Sequence, residues 1–441
     1  MLNRLQRILF SKKRRAILQN IGWLFFDKAL RLAGGLLVSV WVARYLGPAQ
    51  FGMLNYAIAL ASIFSALSTL GLDGLIVRDV VRKPAARGEI LGTALVLRLG
   101  AGMITIMLIQ VTAWIARPDD TVVRVVVVFV SFATVGGAVD VLTLWFESQV
   151  RSKYKVIAEN VAFVFAALVR VVLILTKKPL ILFAATMAAE VFLAKIFLWT
   201  FYARTGERFR NFSIRLERAK SLLEEGWPLI LSGLSVLIYM RIDQIMLASM
   251  VGDEAVGIYS AAVRISKIWY FVPVTIVASV SPSLTAVQYH DYQRYQQGFQ
   301  QLFSLLTILS YIVIAPLTCS APLLVKWLYG DIYADAGMVL SIHVWAGLFV
   351  AMEVASSRWL INDGFAKMIM YRAIISAVVN IVLNYVLIPI YGPVGAAWAT
   401  VVSYSVSGFI LHAFVRRTRK LFTQQVRSLV FAGIVQLSKS R

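Results

Sequence analysis

Long apolar runs, separated by glycine, proline and charged residues, dominate the pattern of hydrophobic and polar positions along the chain. A helix needs about 20 mostly apolar residues to cross a hydrocarbon core about 30 Å thick. The pattern predicts twelve such helices, at residues 17–43, 52–77, 89–116, 123–147, 155–176, 180–202, 227–250, 256–282, 298–319, 337–359, 367–389 and 394–415. The expected fold class is therefore an all-α polytopic membrane protein.

The composition supports this prediction. The chain has 441 residues, of which 59% are hydrophobic and 15% are charged. A soluble domain carries roughly 25% charged residues and a smaller apolar share. A soluble fold is therefore excluded.

The formal net charge of +22 comes from Lys and Arg residues in short loops between the apolar runs. A nucleic-acid-binding protein would gather this charge on one solvated face, so no nucleic acid is expected as a partner. Cytoplasmic loops of membrane proteins are enriched in Lys and Arg. Most of the basic residues fall in alternate loops if both termini are cytoplasmic, and this orientation is predicted.

The runs predict two six-helix bundles, at residues 17–202 and 226–415, with a charged cytoplasmic linker at 203–225 between them. A basic cytoplasmic segment at 1–16 precedes the first bundle, and a basic tail at 416–441 follows the second. The tail mixes basic and apolar residues. It is expected either to lie on the anionic leaflet as an interfacial helix or to be disordered.

One glycine pattern occurs at the same place in each half. Gly47 and Gly52 have the same spacing as Gly252 and Gly257, at a constant offset of 205 positions. Short turns between helices also use glycine without any repeat. An internal repeat of six helices predicts a pseudo-two-fold axis along the membrane normal, with the substrate path between the halves.

Several stretches resemble a known family. They are RYLGPAQFG at 44–52, LGL at 70–72, RIDQIML at 241–247, GIYSAA at 257–262, LNY at 383–385, IP at 388–389 and YGPVGAA at 391–397. On these residues the chain resembles the polysaccharide-transport or O-antigen flippases. They belong to the MATE-like superfamily, which also contains multidrug exporters and the lipid II flippase. The lipid II flippase has two further helices, and the apolar runs of this chain leave no room for them.

The resemblance implies a function and a location. Family members move a polyprenyl-diphosphate-linked oligosaccharide from the inner to the outer leaflet of a bacterial inner membrane, for O-antigen, lipopolysaccharide or exopolysaccharide synthesis. The expected partners are this lipid-linked glycan and membrane lipid. A polysaccharide polymerase and a chain-length regulator are candidate protein partners.

Ionisable residues within the apolar runs are the candidate site residues, since such residues are costly in a membrane and are usually functional. The cations expected to line a cavity for the diphosphate are Arg31, Arg98, Arg241, Arg264 and Lys267. Guanidinium groups make bidentate contacts to phosphate oxygens. The candidate acids for coupling to a proton or sodium gradient are Asp27, Asp243 and Glu190. Structural pairing, as between Asp27 and Arg31, is the competing interpretation.

Several other functions are disfavoured. The chain has no G-x-x-x-x-G-K-[ST] phosphate loop, so energy is expected from an ion gradient, from substrate removal or from another subunit. Its three histidines are far apart in sequence, so neither a metal site nor a cofactor is expected. An exporter of small organic cations would need mainly acidic groups in the cavity. A membrane glycosyl polymerase or ligase would need a large outer loop, so an enzyme is not expected.

Overall fold

The computed structural model of the chain describes residues 2–137, 140–206, 212–288 and 290–430. Within these ranges the secondary structure is helical, with no strand. The α-helices, in order, are α1 Leu2–Thr69, α2 Asp73–Arg82, α3 Arg87–Ala116, α4 Thr121–Val135, α5 Val141–Ser148, α6 Lys153–Leu175, α7 Leu180–Ala203, α8 Leu216–Met250, α9 Asp253–Ile268, α10 Phe271–Gln288, α11 Tyr292–Tyr329, α12 Ala336–His343, α13 Ala346–Asn362, α14 Ala366–Ser405, α15 Leu411–Phe414 and α16 Arg419–Leu429. The prediction of an all-α protein is confirmed.

Two of these helices are each interrupted by a glycine. In α1, Gly47 has φ 71° and ψ 171°, and in α14, Gly392 has φ 55° and ψ −131°. A positive φ is accessible to glycine at little cost. Proline follows each glycine, at Pro48 and Pro393, and proline suits a first helical turn because it lacks an N–H. Each label therefore covers two helices that meet at a turn.

The number of apolar helical segments in the described chain follows from these breaks. Nine helical segments of the described chain are long and apolar enough to span a bilayer. Two of them, Phe26–Arg82 and Lys367–Phe414, divide at Gly47 and Gly392, and a shorter apolar helix covers Thr121–Thr134. The result is twelve apolar segments, as the sequence predicts. Large apolar side chains such as Met107 and Leu323 are exposed on them, as expected of a surface covered by lipid.

Three predicted helices are broken in the structure. The segment predicted at 123–147 consists of α4 and α5, and a Cβ at Gly136, between them, would overlap the Val191 side chain. The segment at 256–282 consists of α9 and α10, and Pro273 lies in the first turn of α10. The segment at 337–359 consists of α12 and α13.

The described chain forms two compact units. The first unit contains residues 1–45 and 57–234, and the second contains residues 46–56 and 235–441. The division differs from the predicted linker at 203–225, because α8 begins at Leu216 and continues unbroken past the division. Residues 207–211 of that linker lie outside the described residues.

A close helix crossing in the second unit explains why residues 46–56 belong to it. A Cβ at Gly52 would overlap the carbonyl oxygen of Asp253, and a Cβ at Gly257 would overlap that of Pro48. The two contacts exchange residues that are 205 positions apart, so the crossing has local two-fold symmetry. Gly47 and Gly252, which precede the crossing helices, both have positive φ. The glycine pattern read from the sequence thus marks two equivalent turns.

The predicted tail contains a folded helix. Residues Leu421, Gln424, Gln425 and Ser428 of α16 are buried in the second unit. The Gln425 side chain donates to the Gly408 carbonyl at 2.7 Å and contacts the His412 ring at 3.0 Å. Gln424 donates to the Gln296 carbonyl at 2.9 Å. This part of the tail is therefore packed on protein, and residues 431–441 of the predicted tail lie outside the described residues.

Candidate functional site

Arg31 of α1 lies between two carboxylates in the first unit. Its Nε donates to Asp27 Oδ1 at 2.9 Å, and its Nη2 donates to Glu159 Oε2 at 3.3 Å. The spacing of four residues places Asp27 and Arg31 on one face of the helix. The guanidinium also lies 5.9 Å from the centre of the Phe163 ring. The charge of Arg31 is therefore compensated by two carboxylates in this conformation.

The neutralisation extends to the neighbouring helices of the first unit. Lys155 donates to Glu147 at 2.8 Å, and Lys195 is paired with Asp140. Glu159 is in electrostatic range of both lysines. We call this group the first-unit ion cluster, with the members Asp27, Arg31, Asp140, Glu147, Lys155, Glu159 and Lys195. Four acids against three bases leave it without excess positive charge.

Arg98 and Glu190 have other partners in the first unit. The Arg98 side chain is fully buried and paired with Asp73, which is 60% exposed. Its Nε and Nη1 atoms have no hydrogen-bond partner among the described atoms. Glu190 accepts from Arg170 at 2.8 Å, and Arg170 also donates to Thr186 at 3.0 Å. Glu190 is therefore held in a local ion pair.

Asp243 of α8 is the buried acid of the second unit. The residue is 2% exposed. Its carboxylate accepts hydrogen bonds from the Tyr259 hydroxyl, from Thr400 Oγ1 at 3.4 Å and from the Gln244 amide at 2.8 Å. Helices α8, α9 and α14 thus each supply a donor, which is how a protein stabilises an acid in a poorly solvated interior.

Two cations lie near this acid. Lys267 interacts electrostatically with both Asp243 and Arg241, and its Nζ donates to the Met240 carbonyl at 3.5 Å. Neither Arg241 nor Lys267 has an acid within 4.0 Å in the part of the chain that the structure describes. We call Arg241 and Lys267 the second-unit cation pair. Arg264 is exposed one turn before Lys267 and interacts with Tyr329.

A second polar group adjoins them within the second unit. Glu353 accepts from Tyr239 at 3.3 Å and from Ser407 at 3.0 Å. Arg372 lies 3.9 Å from Glu353 and donates to Ser356 at 2.9 Å. Sequence reasoning missed Arg372, as it missed Glu159 in the first unit. Both are single charges in apolar runs, so the signal that identified the other candidates was also present there.

The five predicted cations therefore differ in their surroundings. Arg31 and Arg98 are held by carboxylates in the first unit, whereas no acid of the described residues lies within 4.0 Å of the second-unit cation pair. Of the predicted acids, Asp27 and Glu190 are paired with arginines, and Asp243 is held mainly by neutral donors. A phosphate oxygen would meet less competition at Arg241 and Lys267 than at Arg31.

Comparison with known protein families identifies two matches. The family described as "Polysaccharide biosynthesis protein" matches residues 17–288, and the MatE family matches residues 228–386. A probable flippase, AglR of Haloferax volcanii, is 28% identical over 192 residues, which cover 42% of this chain and 39% of the relative. An uncharacterized membrane protein of Methanocaldococcus jannaschii is 24% identical over 208 residues, 47% of this chain and 46% of that protein. The matches thus span less than half of each of these relatives.

Solved structures with the same fold cover nearly the whole chain. An inward-facing multidrug resistance MATE family transporter superposes with a TM-score of 0.69 at 15% identity, over 93% of this chain and 94% of the other. The lipid II flippase MurJ in an inward closed conformation also gives 0.69, at 13% identity over 96% and 93%. The MATE-like fold prediction is confirmed. AglR and the two solved structures are a probable flippase, a transporter and a flippase, which agrees with the prediction that the chain is not an enzyme.

Proposed function

Because this chain belongs to the polysaccharide biosynthesis protein family, we propose that it is a flippase for a polyprenyl-diphosphate-linked oligosaccharide. The lipid-linked glycan would move by alternating access from the cytoplasmic to the outer leaflet of a bacterial plasma membrane. Both termini would lie in the cytoplasm. The glycan would serve cell-surface polysaccharide synthesis, and a polymerase would take it up on the far side.

The second-unit cation pair is the observation that carries this proposal. A diphosphate must leave water to cross a membrane, and an anion in a poorly solvated site needs paired positive charge. Arg241 offers a planar guanidinium that fits two phosphate oxygens at once, and Lys267 adds a second charge nearby. No carboxylate within 4.0 Å competes for either group among the described residues. Arg264, on the same helix as Lys267, would add a further charge in the second unit. Arg31 would be a separate candidate contact in the first unit, whereas the predicted role of Arg98 is not supported, because its side chain is fully buried against Asp73.

The acids supply the proposed coupling to an ion gradient. Asp243 lies in electrostatic range of both members of the cation pair, so neutralising it by a proton or sodium ion would strengthen their hold on an anion. Linkage of this kind is reciprocal, and a bound diphosphate would change the ion affinity of Asp243 by the same factor. Asp27 would act in the same way on Arg31 in the first unit, and Glu190 would act on Arg170.

The test is flipping in proteoliposomes that contain the purified full chain and a fluorescent polyprenyl-diphosphate disaccharide. We expect Arg241→Ala and Lys267→Ala each to lower the flipping rate by roughly tenfold or more, since a charge-assisted contact to phosphate is worth about 1.5–3 kcal/mol. Arg241→Lys should recover only part of the rate, because a point charge lacks the planar fork. Asp243→Asn should instead remove the dependence of the rate on pH or sodium.

The matched control is Lys326→Ala, which removes a cation that is 64% exposed and bridged to Asp331. Its flipping rate should equal that of the unmodified chain. Normal flipping by both Arg241→Ala and Lys267→Ala would refute the site. If the unmodified chain moves small organic cations and leaves the diphosphate lipid in place, the substrate class is wrong.

A further inference from the structure

A cavity of about 610 Å³ lies at the end of the second unit that the loop charges predict to be cytoplasmic. It is lined by residues from the ends of α10, α11 and α13, from the turn before α14, from the segment that leads into α16, and from the first turn of α16. None of the residues assigned to the substrate path lines it. The proposed function therefore leaves this cavity unexplained.

Three cations are among the described residues that line the cavity, namely Arg416, Arg417 and Lys420. All three are exposed, and none has an acid within 4.0 Å in the described part of the chain. The Arg417 guanidinium lies 5.6 Å from the centre of the Phe365 ring, which stacks at 24° on Trp359. The cation–π contact with Phe365 holds the Arg417 guanidinium at the wall of the cavity.

Trp359 provides an independent sign of a missing acceptor. It lines the cavity, it is 2% exposed, and its indole Nε1 has no hydrogen-bond partner among the described atoms. A buried N–H that has given up its water and found no acceptor is unfavourable. An oxygen-rich ligand in the cavity would supply that acceptor.

Among the described residues that line the cavity, Asp363 is the one acid, and its carboxylate accepts hydrogen bonds from neutral donors. It accepts from Gln288 at 2.7 Å, from Tyr292 at 3.2 Å and from Tyr295 at 3.2 Å. Burial raises the pKa of Asp363, and the hydrogen bonds from Tyr292, Tyr295 and Gln288 oppose that shift. With one carboxylate against three cations, the cavity lining has excess positive charge even when Asp363 is ionised.

We propose that this cavity binds the phosphate group of an anionic membrane lipid. Arg416 and Arg417 would grip the phosphate oxygens, with Lys420 as a third charge. Exposed apolar residues, Phe414 and Val415, directly precede Arg416 and give the acyl chains a surface to follow. Anionic headgroups are concentrated in the cytoplasmic leaflet, on the side where the loop charges place the cavity. The same cations could also bind a soluble phosphate, and the experiment below distinguishes that ligand from a lipid.

The test measures retained lipid by native mass spectrometry of the full chain in detergent, titrated with phosphatidylglycerol and, separately, with phosphatidylcholine. The unmodified chain should prefer phosphatidylglycerol. Phosphatidylglycerol binding should weaken by roughly tenfold in the triple variant Arg416→Gln, Arg417→Gln and Lys420→Gln. It should weaken by a few fold in Trp359→Phe, which keeps an aromatic ring and removes the N–H.

The matched control combines Arg294→Gln, Lys367→Gln and Arg427→Gln, which remove the same charge from exposed positions outside the cavity. It should bind phosphatidylglycerol as the unmodified chain does. The proposal would be overturned if the triple variant of the cavity cations bound phosphatidylglycerol as tightly as the unmodified chain. It would also be overturned if the control triple variant lost as much affinity as the cavity triple variant. Displacement of the lipid by millimolar inorganic pyrophosphate would assign the cavity to soluble phosphate instead. Because no flipping is measured, failure here leaves the proposed function untouched.

Discussion

At the scale of single residues, the Arg98–Asp73 ion pair joins two side chains of very different exposure. Arg98 is fully buried, whereas Asp73 is 60% exposed. Removing the acid leaves a guanidinium buried without a counter-charge, which costs about 3–5 kcal/mol. Removing the arginine leaves a carboxylate that water can reach. Asp73→Ala should therefore lower the thermal unfolding midpoint of the purified protein far more than Arg98→Met does.

The double variant Asp73→Ala with Arg98→Met is the control for this prediction. It removes the buried charge together with its partner, so it should unfold at a higher temperature than Asp73→Ala alone. If the double variant is the least stable of the three, Arg98 stabilises the fold through contacts other than this pair. Scanning the intrinsic tryptophan fluorescence against temperature in detergent gives all three midpoints.

The candidate residues could be identified in the sequence because a charge within an apolar run is conspicuous, but the long-range pairing between such charges could not be predicted. The spacing of four residues indicated Asp27 as a partner for Arg31, and the structure adds Glu159, which is 128 positions away. Such a contact depends on which helices pack together, and the hydrophobic pattern of a single sequence does not predict which helices are neighbours. Thr400 and Tyr259, which hold Asp243, were missed because hydroxyl-bearing residues are common in membrane helices and carry no charge signal.

At the scale of secondary-structure elements, the crossing at Gly52 and Gly257 is the contact most sensitive to side-chain size. Each glycine meets a backbone carbonyl, of Asp253 and of Pro48 respectively, and a backbone group cannot rotate away as a side chain can. Gly52→Ala and Gly257→Ala should each destabilise the protein by about 1–3 kcal/mol through overpacking. Local two-fold symmetry predicts effects of similar size, measured as shifts in the thermal unfolding midpoint.

Gly100→Ala is the matched control for these substitutions. Gly100 lies within α3, and a Cβ there would meet nothing within 4 Å. Alanine is the better helix former by about 0.5–1 kcal/mol, so this variant should be as stable as the unmodified chain or slightly more so. A crossing that tolerated alanine at both positions would be looser than the structure shows, and the local symmetry would lose its support.

The apolar runs predicted where most helices lie, but not where they bend. The thickness of the hydrocarbon core sets the minimum length of an apolar run that can cross it, so the twelve segments could be counted from the sequence. The break between α4 and α5 lies at Gly136, where a Cβ would overlap the side chain of Val191 in a different helix, and such a contact cannot be predicted from run length. The extension of α8 back to Leu216 was hidden for another reason, since charged residues in its first turns resemble a loop.

At the scale of the whole molecule, the C-terminal segment shows the limit of composition as a guide. Its basic and apolar residues favoured either an interfacial helix or a disordered tail. In the structure the glutamines of α16 form hydrogen bonds to backbone carbonyls of other segments, which no propensity scale anticipates. The same packing brings Lys420 of α16 to the wall of the cavity beside Trp359. A charge that appeared to belong to a solvated tail thus contributes to a candidate binding site.

The orientation of the whole chain can be tested by cysteine labelling. Cys319 is exposed and must first be replaced by alanine. Lys and Arg concentrate on the cytoplasmic side of membrane proteins, and the loops that hold most of these residues fall on one side if the termini are inside. Ser213→Cys and Arg427→Cys should therefore resist an impermeant maleimide in intact spheroplasts, whereas Asp119→Cys and Asp331→Cys should react. All four positions are exposed, so accessibility alone does not separate them.

Inverted membrane vesicles provide the reverse experiment for the same four variants. There the first pair should react and the second pair should be protected, which shows that each cysteine is reactive when reached. The opposite pattern in both preparations would invert the topology and place the cavity with Arg416 and Arg417 on the outer side. An anionic lipid of the inner leaflet could not then fill that cavity. If only one cysteine of a pair reacts in a given preparation, the two cysteines of that pair lie on opposite sides of the membrane. The chain between them would then cross the membrane an odd number of times, whereas the predicted topology requires an even number.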